Sequence, residues 1–194
     1  MTASDGRQGQ GAGTPVPRSA SSVPAAGLPD YAELRCVSTF SFLVGASQPE
    51  ELVERAHKQG YRALALTDEC SVAGVVRAHV TAKKIGLKLL IGSQFSVAVP
   101  EPSGDDAPGP FSLGVLACNL NGYGNLCEFI TKLRRASEKG TYHLNLGDIA
   151  SDELADCVVV ASPVRGSSDA QLVGLARWLL THFTGRCWLG VELL

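Results

Sequence analysis

The sequence predicts an α/β fold built around a largely parallel sheet. Apolar runs of strand length alternate along the chain with segments whose apolar residues recur at helical spacing. One of these runs, Ala63–Leu66, has no polar alternation, which is typical of a strand buried on both faces. No glycine-rich phosphate-binding fingerprint follows any predicted strand. A barrel-type layout, with the site at the carboxyl ends of the strands, is therefore favoured over a dinucleotide-binding fold or a P-loop.

Composition limits the class of protein further. The chain has 194 residues, is 45% hydrophobic and carries a net charge of -2, so it suits one core-bearing domain and has no global basic field that would indicate nucleic-acid binding. Its six cysteines form no CxxC pair, which is typical of reduced thiols in a cytosolic protein. No run of about 18 apolar residues is present. We expect a cytoplasmic protein with no membrane partner.

The chain divides into a leader and a domain. Residues 1–29 are rich in Gly, Ala, Ser, Pro and Thr, and such a segment buries too little apolar surface to offset the entropy of ordering. The sequence predicts a disordered leader over 1–29 and a folded domain over 30–194. A variable leader is favoured over a functional tail, which is the alternative.

The first strand is predicted at Glu33–Val37. After a loop, Ser47-Gln48-Pro49-Glu50 fits a capping box with proline in the first turn of a helix. Gly60 is a natural C-terminal cap for that helix.

The second strand, Ala63–Leu66, stops at Thr67-Asp68-Glu69. Ser71 then fits the N-cap of a helix, and valines at 72, 75, 76 and 80 give it an apolar stripe. Two adjacent carboxylates just past the carboxyl end of a strand suggest a divalent metal site or acid–base chemistry. The alternative is that Asp68 and Glu69 only cap the helix N-terminus.

Two more strands are predicted at Leu87–Ile91, with a possible extension over Phe95–Val99, and at Phe111–Cys118. The next helix should bury a stripe formed by Tyr123, Leu126, Cys127, Ile130 and Leu133. Its end carries a basic cluster of four side chains: Lys132, Arg134, Arg135 and Lys139. Cations near the negative pole of the helix explain this cluster, and DNA-phosphate contact is the sharper alternative.

The last elements are a strand within Asp156–Ala161, a helix capped by Ser168 or Asp169, and a strand over Cys187–Leu194. The helix is expected to bury a stripe formed by Leu172, Val173, Ala176, Leu179, Leu180 and Phe183. Because a buried parallel strand at the C-terminus leaves its edge open, we expect the domain to be incomplete.

Three blocks of sequence together resemble a known family. They are the segment 31–43 (YAELRCVSTFSFL), the segment 63–74 (ALALTDECSVAG) and the segment 90–95 (LIGSQF). The chain resembles the N-terminal PHP (polymerase and histidinol phosphatase) domain of bacterial family C DNA polymerases, and within them the error-prone branch. The resemblance extends from about Tyr31 to Leu194 and implies a distorted seven-stranded β/α barrel, of which this chain would hold a part.

The resemblance also implies a metal site, and here its ligand pattern is eroded. Active PHP domains bind up to three ions at their strand ends and cleave phosphoester bonds with a metal-bound water. The His-x-His motif stands here as Arg35 and Val37, Thr-Asp-His as Thr67-Asp68-Glu69, and Gly-x-Glu as Gly92-Ser93-Gln94. Arginine repels cations and valine cannot coordinate, although Arg35 could pair with Asp68 or Glu69. The family's terminal Asp-x-His motif is expected beyond Leu194.

These expectations lead to an architectural role. The resemblance implies a PHP portion of an error-prone polymerase, which buttresses the polymerase body, contacts DNA or mutagenesis and replication subunits through that body, and lacks the polymerase palm and fingers. One alternative is a stand-alone metal-dependent phosphoesterase that holds Zn, Mn or Mg with Asp68 and Glu69. Another is a nucleic-acid-binding module that uses the basic cluster around Lys132 and Arg135.

Overall fold

The computed structural model describes residues 30–100 and 107–191. The described strands are β1 (Ala32–Cys36), β2 (Ala63–Leu66), β3 (Lys88–Val97), β4 (Phe111–Ala117), β5 (Cys157–Pro163) and β6 (Cys187–Leu189). The described helices are α1 (Pro49–Lys58), α2 (Val75–Ile85), α3 (Leu120–Arg135) and α4 (Asp169–His182), with a 3-10 turn at Leu146–Asp148. The predicted disordered leader, 1–29, lies outside the described residues.

The strands form one sheet in the order β1-β2-β3-β4-β5-β6. Strands β1, β2 and β3 pair in parallel, as do β5 and β6, whereas β4 runs antiparallel to both of its neighbours. The mixed α/β sheet agrees with the predicted class, and the reversed strand is the exception to its parallel character. No helix is described between β3 and β4, and a parallel pair needs a crossover whereas an antiparallel pair does not.

Two hydrophobic cores lie along this sheet. The smaller one packs α1 and α2 on β2 and includes Val53, Ala78 and Leu66. The larger one packs α3 and α4 on β3, β4 and β5. Val72 packs against both cores, so it joins them.

Helix α1 begins one residue later than the sequence predicts. Its N-cap is Gln48. The capping box is completed by Glu51, whose carboxylate accepts the backbone N–H of Gln48 at 2.8 Å. Pro49 holds the first helical position, as expected. Gly60 follows the helix end with φ of 76°, a left-handed conformation that suits glycine and agrees with the predicted cap.

The predicted start and apolar stripe of helix α2 are wrong. Ser71 does not cap the helix, because α2 begins at Val75 with Gly74 as its N-cap. Two of the valines in the predicted stripe, Val76 and Val80, are 70% and 62% exposed. The helix instead buries Val75, Ala78 and Ala82. The small alanine side chains allow α2 to pack closely on α1. The predicted stripe was built from the larger valines and therefore left the alanines out.

Helices α3 and α4 match their predicted positions better than their predicted faces. Phe129 is buried in α3 although the predicted stripe left it out. Ser168 is the N-cap of α4, where its side chain accepts the Gln171 N–H. The exposed side chains of Val173 and Leu180 do not belong to the buried face, which is formed by Gly174, Leu175 and Leu179.

The remaining predictions concern cysteines, the last strand and membranes. The six cysteines lie in the described residues and form no disulfide. Strand β6 ends at Leu189, earlier than predicted, and residues 192–194 lie outside the described part. None of the helices in the described ranges is long and apolar enough to span a membrane.

Candidate functional site

The candidate site lies at the carboxyl ends of the parallel strands β1, β2 and β3. Thr67 and Asp68 directly follow β2, and Gln94 lies on β3 where Glu69 forms a bridge to it. Asp68 is 1% exposed, although carboxylates are seldom buried without partners. The sequence therefore brings its predicted polar residues together at one edge of the sheet.

The Asp68 carboxylate holds the loop that follows β1. Its Oδ1 accepts the Ser38 N–H and the Ser41 hydroxyl, both at 2.7 Å, and its Oδ2 accepts the Ser38 hydroxyl at 2.7 Å. The Ser41 oxygen in turn accepts the Glu69 N–H at 2.9 Å. The buried carboxylate therefore has protein hydrogen-bond donors on both of its oxygens, as buried polar groups require.

The loop held by Asp68 presents three successive apolar side chains to solvent. Phe42, Leu43 and Val44 are 84%, 92% and 69% exposed. Leu43 has φ of 63°, a left-handed conformation that is uncommon for leucine. A Cβ on Gly45 would lie 1.9 Å from the Ser38 carbonyl oxygen, so only glycine fits there. We call residues 42–44 the apolar tip.

Glu69 joins β3 to the segment after α3. Its carboxylate accepts the Gln94 side-chain amide at 2.9 Å and the Ser96 hydroxyl at 3.1 Å. The Tyr142 hydroxyl donates to the same carboxylate. Burial and then this hydrogen bond raise the pKa of Tyr142 above its ordinary value, so the phenol stays protonated and remains a donor.

Arg35 and Val37 occupy the places where the resemblance expects the first pair of ligands. Arg35 Nε donates to Gln94 Oε1 at 2.9 Å, and its Nη2 lies 3.3 Å from Ser112 Oγ. Gln94 thus links the guanidinium to the Glu69 carboxylate. Val37 is half-buried and offers no donor atom. The described arrangement is a continuous hydrogen-bonded bridge from β1 through β3 to Tyr142.

Comparison with protein families matches residues 33–167 to the PHP domain. This chain belongs to the PHP domain family. In the matched region the three sequence blocks converge at the strand ends, as the resemblance implied.

The relatives of this PHP domain are much longer proteins. An error-prone DNA polymerase of Dechloromonas aromatica is 50% identical over 170 residues, which are 86% of this chain and 15% of the relative. One from Bordetella parapertussis is 51% identical over 175 residues, 86% of this chain and 16% of the relative. The chain thus spans about one sixth of the length of these relatives, and it is homologous to their PHP region.

A solved structure supports the fold. A protein from Bifidobacterium adolescentis, assigned as a metal-dependent phosphoesterase, superposes with a TM-score of 0.56 over 82% of this chain and 76% of its own. The two sequences are 17% identical, so the likeness concerns the fold alone.

The side chains at the PHP strand ends do not fit the Zn, Mn or Mg ion that the family implies. Within 30–100 and 107–191, no three His, Cys, Asp or Glu side chains lie close enough together to hold a metal ion. Both Asp68 oxygens already accept hydrogen bonds, and Glu69 is bound by three side chains. A cationic guanidinium at position 35 adds electrostatic repulsion to this site.

Two of the four basic side chains predicted to bind DNA at the end of α3 contact other groups of the protein. Lys132 forms an ion pair with Glu153. Arg134 donates to the carbonyl oxygens of Glu69 and Cys70 at 3.2–3.3 Å and lies over the Tyr142 ring at 5.6 Å. Arg134 therefore belongs to the framework of the site.

Arg135 and Lys139 are exposed. DNA-phosphate contact by the cluster of Lys132, Arg134, Arg135 and Lys139 stays a prediction, which these contacts do not test.

Sequence reasoning missed the partners that fill the site. Ser38, Ser41 and Tyr142 lie 30, 27 and 73 residues from the carboxylates that they bind. Both serines are in the loop block 38–43, where alternating serine and aromatic residues are an available signal. Tyr142 has no such signal, because it is brought to Glu69 only by the course of the chain after α3. The apolar tip was visible as a run of large side chains but was not recognised as exposed.

Proposed function

We propose that this PHP domain, spanning 30–194, is an architectural module of an error-prone DNA polymerase and does not hydrolyse phosphoesters. The observation that carries the proposal is the Asp68 carboxylate, whose hydrogen bonds hold a loop in place of a metal ion. The homology to error-prone DNA polymerases supplies the type of parent protein. Templated DNA synthesis, damage-induced mutagenesis and repair would belong to regions of such a polymerase outside the matched segment. Its compartment would be the cytoplasm.

The apolar tip suggests how the module would act. Three adjacent large apolar side chains that face water are disfavoured in a domain that works alone, and buried apolar anchors dominate many protein interfaces. The tip is fixed by the Asp68 hydrogen bonds and by Gly45, so little entropy is lost when it docks. We infer that the polymerase body receives Phe42, Leu43 and Val44 in an apolar pocket.

The test is association in trans. The Dechloromonas aromatica polymerase, deleted of the segment that matches this chain, is co-expressed with the full 194-residue chain, and co-purification and primer extension are measured. We expect the native chain to co-purify and to restore extension. The double substitution Phe42→Ser with Leu43→Ser should reduce recovery of the complex at least about tenfold, because it removes the apolar anchors.

Helix α2 offers a matched control. Val76→Ser with Val80→Ser removes two apolar side chains of comparable exposure at another surface, and it should leave recovery unchanged. The assignment of the tip would be contradicted if both double substitutions reduced recovery of the complex equally. It would also be contradicted if neither of them reduced it. Failure of the native chain to associate would contradict the architectural role itself.

A further inference from the structure

A face rich in cations lies at the end of the sheet opposite the candidate site. It is formed by the last turns of α1 and α2, by Arg62 just before β2 and by Lys88 at the start of β3, because each helix runs back to the amino ends of the parallel strands. Its members, which we call the basic face, are Arg55, Lys58, Arg62, Lys83, Lys84 and Lys88. All six side chains are exposed.

These cations are little neutralised. Among the described residues, the one ion pair on this face joins Arg62 to Asp30 at 3.4 Å, where both side chains are well exposed. Two other carboxylates lie near the face: Glu54 on α1, and Glu33 on β1, which pairs with Leu64 and accepts hydrogen bonds from Tyr31 and the Arg35 N–H. In the α3 cluster, by contrast, Lys132 is paired and Arg134 is engaged by backbone carbonyls. The basic face therefore holds the larger set of uncompensated charge, although the whole chain is slightly acidic.

The face includes a groove. A cavity of about 530 Å³ is lined by side chains that include His57, Tyr61, Arg62 and Lys88. Lys88 begins β3 opposite Ala63 in the parallel register, which places it beside Arg62 at the mouth of the groove. Helix dipoles account for Lys83 and Lys84 at the end of α2, but they do not account for cations at the starts of two strands.

We propose that the basic face binds the phosphate backbone of duplex DNA. Phosphate contact by lysine and arginine is sequence-independent and needs several cations spread over an extended surface, which this face supplies. An anionic membrane is disfavoured, because the large exposed apolar residues that border the face are single side chains, Tyr31 against Tyr61 and Val80 one turn before Lys84, and not the continuous apolar stripe of an interfacial helix. The choice of DNA as the polyanion rests on the proposed function, whereas the location of the site rests on the charges alone.

The test is the salt dependence of binding. Fluorescence anisotropy with a labelled duplex of random sequence is measured on the full chain between about 50 and 200 mM NaCl, where each phosphate contact contributes a slope of about −0.9. The triple substitution Lys83→Gln, Lys84→Gln and Lys88→Gln should flatten the slope by about 2–3 and weaken binding at least about tenfold at the lowest salt. The thermal transition should be unchanged, because these side chains are exposed.

A matched triple removes the same number of charges from the competing location, the end of α3. Because we assign the duplex contact to the basic face, Lys132→Gln, Arg135→Gln and Lys139→Gln should change the slope by no more than about one contact, and a loss confined to this triple would assign the contact to the α3 cluster instead. An unchanged slope in the basic-face triple, equal losses in both triples, or no binding at the lowest salt would overturn the proposal. Equal lysine-dependent binding to phosphatidylserine vesicles or to polyglutamate would overturn DNA as the ligand. These outcomes are independent of the association test, which probes the opposite end of the sheet.

Discussion

At the scale of single residues, Asp68 is a buried carboxylate with a structural role. It stands where the resemblance implies a metal ligand, yet its oxygens accept two serine hydroxyls and a backbone N–H. Glu69 is likewise a partner for Gln94 and Tyr142. Identity at one ligand position is therefore weak support for metal chemistry when the neighbouring ligands are missing.

The first prediction at this scale concerns Asp68→Ala. The substitution leaves the fully buried Ser38 N–H without an acceptor, so we expect a loss of about 2–3 kcal/mol in the free energy of unfolding, measured with urea. Ser41→Ala leaves the Ser38 N–H satisfied and removes the acceptor of the Glu69 N–H, which is only half-buried and can be hydrated, so it should cost less, about 1 kcal/mol. Adding Mn²⁺, Zn²⁺ or Mg²⁺ should leave the thermal transition of the native chain in place. A metal-induced rise that Asp68→Ala abolishes would instead support the phosphoesterase.

The residues of the site could be predicted from the sequence better than their roles. Asp68, Glu69, Arg35 and Gln94 do meet at the strand ends, because the carboxyl ends of adjacent parallel strands necessarily share an edge. Their hydrogen bonds could not be predicted, since the serine and tyrosine partners are distant in sequence. Pairing with Asp68 or Glu69 was expected for Arg35, and the bond to Gln94 was not.

At the scale of elements, strands were easier to place than the faces of helices. Strand β2 has its predicted bounds because an unbroken apolar run has no alternative face to expose. In α2 the predicted face was partly wrong, because Ala78 and Ala82 are buried beside Val75 whereas Val76 and Val80 are exposed. Helix faces in this fold are decided by small residues at close contacts, and the same feature governs the glycines of α3.

The prediction at this scale compares two glycines of α3. A Cβ on Gly122 would lie 2.1 Å from the Asp156 carbonyl oxygen, whereas one on Gly124 would meet no atom within 4 Å. Gly124→Ala should raise the free energy of unfolding by about 0.5–1 kcal/mol, because alanine loses less backbone entropy in a helix. Gly122→Ala should lower it by about 1–3 kcal/mol through overpacking. Urea unfolding checks both values, and equal signs would contradict the packing of α3 on the turn at Asp156.

At the scale of the whole molecule, one continuous sheet carries two cores of unequal size. Within the described residues, the larger core has 18 buried side chains and the smaller has 8. The candidate site lies at their junction, where Val72 packs against both cores and Glu69 bridges to Tyr142. A chain of hydrogen bonds thus runs from Arg35 on β1, whose neighbour Cys36 packs on the smaller core, to Tyr142, which packs on the larger core.

The last prediction follows from this asymmetry. Because hydrophobic burial supplies most of the stabilisation, the amides of α1, α2 and β2 should open with lower free energies than those of α3, β4 and β5. Native-state hydrogen exchange at increasing urea should therefore show two groups of amides, with the group around the smaller core exchanging first. Tyr142→Phe removes the hydroxyl that donates to Glu69 but keeps the ring that packs on the larger core. If this bond links the two cores, its loss should increase the difference in opening free energy between the two groups of amides. A single opening free energy shared by all of these amides, unchanged in Tyr142→Phe, would show that the two cores unfold as one unit and that the bridge does not couple them.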